Sequence, residues 1–282
     1  MGLFDTAEAR LADLESRVAA LEGTTPVEPP PEPTILTQQM FPVGGTTYLN
    51  LVRELPAYDA AQHGIVGYGF ANVNVHGYSA KNLGYGFKVG TGALTSNLLV
   101  EDYTARACQQ PMLLANLHGG EFNRLDLEAT KFDTNQWHGI YIERDVRDVA
   151  FHGLTIKGGS GYCLQMYYGS TTVCTNLVFE DVTLDARTGR YPLVISNGFS
   201  NITFRRCTFL MPTASDGVCV RLYSPTNVLF DTFTAEGGLA LVGTITGGNP
   251  QAVFRNGTYT GPALKQGTLP NVVMDNVTRL AA

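Results

Sequence analysis

Four side chains, Glu101, Glu128, His152 and Glu180, recur at intervals of 24–28 residues. If each interval is one turn of a repeating strand structure, they stack in a column, neighbours ~5 Å apart and alternate members ~10 Å apart. Paired carboxyl groups at such separations act as acid and nucleophile, or acid and base, on a glycosidic bond. These four are the candidate catalytic residues. The column continues as Arg205, Asp231, Arg255 and Asp275, so a mutually paired charge ladder is the simpler expectation. Trp137, Tyr141, Tyr167 and Tyr168 form a second set, whose rings can stack on sugar rings if exposed or pack loops against the core if not. They are the candidate binding residues. Thr104, Thr155, Thr183, Thr208, Thr234, Thr258 and Thr278 make a third column, read as an ordinary outer column because Thr suits strands.

A repeat must position these residues. Asn176, Asn201, Asn227, Gln251 and Asn271 each open a similar segment, beginning NLVFEDVTL, NITFRRCTF, NVLFDTFTA, QAVFRNGTY and NVVMDNVTR. Towards the N-terminus the same frame is placed on Asp148, Arg124, Asn97 and Asn72, with anchor spacings of 20–28 residues. A period near 25 with β-type alternation predicts a solenoid of about nine rungs, ~43 Å long at ~4.8 Å per rung. The first and third residues after each anchor are mostly apolar, with Phe at 151, 179, 204, 230 and 254, and point inward. The sixth is mostly apolar and also points in. The fifth, often Gly, Asp or Asn, predicts a tight turn, and the anchor Asn a bend bonded to local backbone. A second strand piece recurs as Phe87/Val89, Ile140/Ile142, Leu164/Met166, Leu193/Ile195, Val218/Val220 and Leu239/Leu241. The second position faces out yet reads Leu99, Ala150, Val178, Leu229, Val253 and Val273. An external apolar strip needs a cover, so Leu99, Val178, Leu229, Val253 and Val273 are a candidate inter-subunit surface.

The N-terminus differs. Phe4, Leu11 and Val18 fall at heptad position a, and Ala7, Leu14 and Leu21 at d, an apolar seam of coiled-coil type. Arg10 and Arg17 at g can reach Glu15 and Glu22 at e of a neighbouring chain, and Gly23 ends the helix. This tandem Arg-apolar-x-x-apolar-Glu unit resembles the trimerisation motif of short parallel coiled coils, which implies a homotrimer. Five prolines in residues 24–34 predict an extended linker. The expected organisation is a coiled-coil tether (1–23), the linker (24–34), a cap region (35–70) and the solenoid (71–282).

Composition narrows the partners. A net charge of −6 argues against nucleic acid, and no stretch approaches the ~20 apolar residues of a membrane-spanning helix. No signal peptide is evident. The five cysteines lack CxxC spacing and read as reduced core residues of a protein made in a cytoplasm. No metal or other cofactor is expected.

The rungs resemble the right-handed parallel β-helix of the pectate-lyase-like superfamily, over roughly residues 70–280. Its enzymes act on acidic polysaccharides. The polygalacturonase-like series Asn-Thr-Asp, Asp-Asp, His-Gly and Arg-x-Lys is not present in order, and the calcium carboxylates and Arg-x-x-Pro of pectate lyases are missing. Coiled coil, stiff linker and β-helix together resemble tailspikes, minor tail proteins and head fibres of tailed bacteriophages. That resemblance implies a non-enzymatic virion appendage, on the tail or second on the capsid exterior. Its N-terminus would bind other virion proteins, and its β-helix would meet the host surface or its glycans. The alternative is a polysaccharide-degrading depolymerase.

Overall fold

The computed structural model describes residues 52–90, 92–130, 137–158, 161–167, 173–212, 217–244 and 248–281. The expected coiled coil, the linker, most of the cap region and Tyr168 lie outside them. Every described element is a strand, and the strands pair in parallel as a right-handed solenoid. Each turn lays one short strand on each of three faces. Face A and face B follow one another through a single bent residue, so that Val146–Gly158 and Phe199–Leu210 each run through both. Face C is made of separate strands, among them Gln110–Leu114, Ile140–Ile142, Tyr162–Met166, Tyr191–Ile195 and Val218–Leu222. Nine strands stack on face A. They make about eight full turns, the last followed by Val272–Leu280. Val52–Gly67 adds an earlier layer, pairing with Ser79–Val89 over faces B and C.

The inner columns explain why the repeat stacks. Phe122, Phe151, Phe179, Phe204, Phe230 and Phe254 lie one above another, with ring centroids 4.2–4.8 Å apart and planes within 15° of parallel. That separation matches the ~4.8 Å between paired strands, so parallel in-register pairing delivers ring stacking at no conformational cost. Burial of each ring contributes about 1.5–3 kcal/mol. The sixth-position column also points in, and neighbouring side chains adjust to one another there. Phe233 leans over Gly257, where an added Cβ would stand 2.3 Å from the ring.

Two positions of the repeat hold the left-handed backbone conformation, the first of them only through the seventh rung. Before the first inward residue they are Asn72, Asn97, Gly119, Asp148, Asn176, Asn201 and Asn227, and at the turn between faces A and B they run from Gly77 through Asp102 and Arg206 to Asn276. Asn tolerates this region better than most residues. The anchor amides bond one another across rungs rather than local backbone: Asn97 donates to Asn72 (2.9 Å), Asn176 to Asp148 (2.8 Å) and Asn227 to Asn201 (2.7 Å). Stacked rungs bring equivalent amides into reach, a partner that no single repeat reveals.

Two registers differ from the sequence reading. The third rung is anchored at Gly119, not Arg124. Gly120 and Phe122 take the inward positions opposite Leu98 and Val100, while Arg124 is the turn residue. Glycines at the anchor and the next position removed the Asn and apolar signals, and the Phe122 ring fills the space beside Gly120, 3.3 Å from where a Cβ would stand. On face C, Ala240 and Val242 rather than Leu239 and Leu241 continue the columns of Val218 and Val220, leaving Leu239 44% exposed. All five cysteines are buried and free, and burial pushes their thiols up, to about 11 for Cys108 and Cys174.

Candidate functional site

The slip in the third rung separates the proposed carboxylate column. The outward fourth position of face A reads His76, Glu101, Asn123, His152, Glu180, Arg205, Asp231, Arg255, Asp275. Glu128 instead lies on face B beside Lys157, 4.0 Å from Arg106. Of the four candidates, only His152 and Glu180 are neighbours, at 3.3 Å. Glu180 also binds Arg205, and Glu101 meets Arg124 at 3.4 Å. Hydrogen bonds from arginines on the next rung hold Asp102, Asp181 and Asp231 below the ordinary carboxylate range, Asp231 at about 2. The ladder is a set of inter-rung ion pairs, not a poised acid–base pair.

The second-position strip is interrupted twice, once by the slip in the third rung and once by a polar residue within the frame as read. Glu121 stands between Leu99 and Ala150, and Thr203 between Val178 and Leu229. Leu229, Val253 and Val273 remain continuous at the C-terminal end, Val273 being 51% exposed. The threonine column is continuous from Thr155 to Thr278, with Asp126 between it and Thr104.

Face C gathers the aromatic candidates with residues that the sequence did not single out. Its strands present Tyr141, Gln165, Val194 and Arg221 on successive rungs. Tyr167 is not in that column. Its N–H bonds Ile142 O and that of Glu143 bonds Leu114 O, so Glu143, Tyr167, Ser196 and Tyr223 form the next column. Small, buried Ser196 lets the rings of Tyr167 and Tyr223 approach edge to face, 6.1 Å apart. Tyr167 is 42% exposed. Trp137 is half-buried at the entry to the His138 rung.

Along the other edge, His138, Tyr162 and Tyr191 follow one another, with centroids 5.8 and 5.4 Å apart, and His138 lies 5.5 Å from Tyr141. His138 Nδ1 accepts the N–H of Tyr162 at 3.0 Å. Burial lowers its pKa to about 4, so the ring is neutral and braces the tyrosines. Arg221 packs over the Tyr191 ring at 4.6 Å and donates to the Tyr162 hydroxyl at 3.4 Å, while Arg190 lies 5.0 Å from the Tyr191 centroid. Glu143 is half-buried. Burial pushes its carboxyl up against the opposing pull of Arg144 and Lys88.

The surface therefore offers one exposed ring (Tyr167) and two half-buried ones (Tyr141 and Tyr223), guanidinium donors, an amide and one carboxyl with raised pKa. Tyr162, Tyr191, Arg221 and Glu143 escaped the sequence reading because loops of unequal length precede each face C strand. The hidden signal was the alignment of IYI, LQM, LVI and VRL: the middle position then gives Arg221, the position two before the segment gives Tyr162 and Tyr191, and the position just after it gives Glu143.

The fold and this surface define a right-handed parallel β-helix with an aromatic and cationic face. Among solved structures, two modules of bacterial enzymes are similar. The Azotobacter vinelandii mannuronan C-5 epimerase AlgE6 A-module gives a TM-score of 0.56 at 13% identity, covering 77% of this chain and 69% of that one. The AlgE4 A-module gives 0.50 at 12%, covering 82% and 78%. The Pseudomonas phage phi297 tailspike gp61 gives 0.50 at 11%, covering 77% of this chain and 43% of the tailspike. At such identities the likeness is one of fold. No protein-family model and no curated protein matches the sequence.

Proposed function

We propose that the chain is a non-enzymatic virion appendage of a tailed phage that contacts a host-surface glycan through face C. The observation that carries this reading is the run of Tyr141, Tyr167, Tyr223, Arg190 and Arg221 on one face. Aromatic planes and fixed donors are what a sugar chain stacks on and hydrogen-bonds to. The heptads at 4–22 and the Pro-rich linker support a homotrimer tethered by its N-terminus to other virion proteins, on the tail in preference to the capsid exterior. A fold shared with a phage tailspike agrees with that setting. The ion-paired ladder of face A supports the non-enzymatic part, because its carboxylates are already engaged.

A second reading, a polysaccharide depolymerase, is favoured by one observation: the half-buried Glu143, whose raised pKa suits a general acid. Incubation of purified full-length protein with host-envelope polysaccharide separates the two. Binding without release of oligosaccharides is expected. Release that disappears in Glu143→Gln establishes the depolymerase instead.

A further inference from the structure

The outward second positions of face A end in three consecutive branched aliphatic residues, Leu229, Val253 and Val273, one per rung. Nearer the N-terminus, Asn74, Glu121 and Thr203 interrupt the column. Paired strands stand ~4.8 Å apart, so the three side chains make a ridge along the solenoid axis. Val273 is exposed and the other two are half-buried. One flank of the ridge is neutral, formed by the exposed Asn227, Gln251 and Asn271. The other is charged, formed by Asp231, Arg255 and Asp275. Asn227 and Asn271 each donate one amide N–H along their own solenoid, to Asn201 and Asn249, both at 2.7 Å. A second N–H remains on each. An apolar centre with a polar rim is the anatomy of a protein interface, and an exposed apolar column on a solenoid needs a cover.

We infer that the cover is a second copy of this chain: in the homotrimer proposed above, the ridges of three copies meet on the threefold axis and hold the solenoids side by side. This contact is separate from the coiled-coil tether, and rests on that reading for the number of copies and their common direction. A threefold axis relates equal rungs at equal height, so ridge meets ridge along its whole length. All face A strands run the same way, so around the axis the amide flank of each copy meets the charged flank of the next, a heterologous contact that closes into a ring. Amides then face Asp231, Arg255 and Asp275, and like charges do not meet. The apolar area is small for a free-standing interface. Chains already joined at one end, however, hold each other's solenoids at an effective concentration on the order of millimolar, at which a weak contact closes. With face A turned to the axis, faces B and C look outward, so each trimer presents the Tyr141, Tyr167 and Tyr223 surface three times.

The test is disulfide trapping in the full chain. All five native thiols are buried, so a cysteine introduced at the ridge reacts alone. Val273→Cys, treated with diamide at micromolar protein, should give a covalent dimer as two of the three thiols at the axis join. Thr234→Cys, exposed and outward on face B, should be trapped roughly tenfold or more slowly. Adding Leu229→Asp to the Val273→Cys chain should slow trapping as much, with circular dichroism and the sedimenting trimer unchanged. Equal trapping at the two sites within a trimer overturns the ridge contact and keeps the tether. Trapping that rises with protein concentration puts the contact between separate particles and also overturns it. A monomer by sedimentation overturns both the ridge contact and the tether.

Discussion

Phe204→Ala probes the stacked core where it is most continuous. The ring is fully buried, lies 4.7 Å from Phe179 and 4.8 Å from Phe230 within 9° of parallel, and meets Phe209 edge-on at 6.1 Å. Truncating a buried Phe costs about 3–5 kcal/mol. Loss of two stacked partners and one edge contact places this site in the upper half of that range, at about 4–5 kcal/mol. Phe204→Leu keeps much of the volume and should cost about 1–2 kcal/mol. Urea midpoints read by circular dichroism, with the slope unchanged, measure both. Because each rung touches only its neighbours, amide exchange should rise most in Cys174–Glu180 and Thr226–Glu236 and least in Ala71–His76. A cost below about 1 kcal/mol for the alanine variant, or a uniform rise in exchange, refutes the reasoning.

Three further outcomes are expected. Gly257→Ala drives a methyl to 2.3 Å from the Phe233 ring and should cost about 1–3 kcal/mol. Phe233→Leu should restore most of it, and an unshifted melting curve for Gly257→Ala alone contradicts the packing. The buried His138 titrates at about 4 when folded against 6.5 unfolded. Between those values the unfolded chain binds more protons, so stability is fully present above about pH 6.5 and declines as pH falls through 4. The loss is at most about 3 kcal/mol. Denaturant midpoints across that window should fall less in His138→Gln. Replacing Leu14 and Leu21 with Asp should convert a trimer into a folded monomer by sedimentation velocity, and a monomeric wild type defeats the coiled-coil proposal.

The period of the fold was legible because two features repeat in most rungs: an apolar pair bracketing one outward residue, and a residue suited to the left-handed region. Both follow from backbone geometry, and both are visible in one dimension. Phe179, Phe204 and Phe230 were placed in one stack on that basis, and they stack. The third rung failed because Gly119 and Gly120 have no side chain to signal with, while Arg124, Leu125 and Leu127 imitate the frame five residues later. Glu128 was carried into the wrong column by that slip. The face C surface was legible only in part. Tyr141 and Tyr167 were identified, but the convergence of Tyr162, Tyr191 and Arg221 spans up to 59 residues of sequence. It depends on loop lengths that no periodic pattern records.

The central claim is that face C, and not the charge ladder of face A, meets the glycan. Hydroxyl-radical footprinting of the full chain with and without bound envelope polysaccharide tests it most directly, because Tyr141, Tyr167 and Tyr223 mark face C while His76 and His152 mark face A. The account predicts that the polysaccharide protects Tyr141, Tyr167 and Tyr223 from oxidation while His76 and His152 react as in the free protein. Protection of His76 and His152 with the three tyrosines unchanged contradicts it.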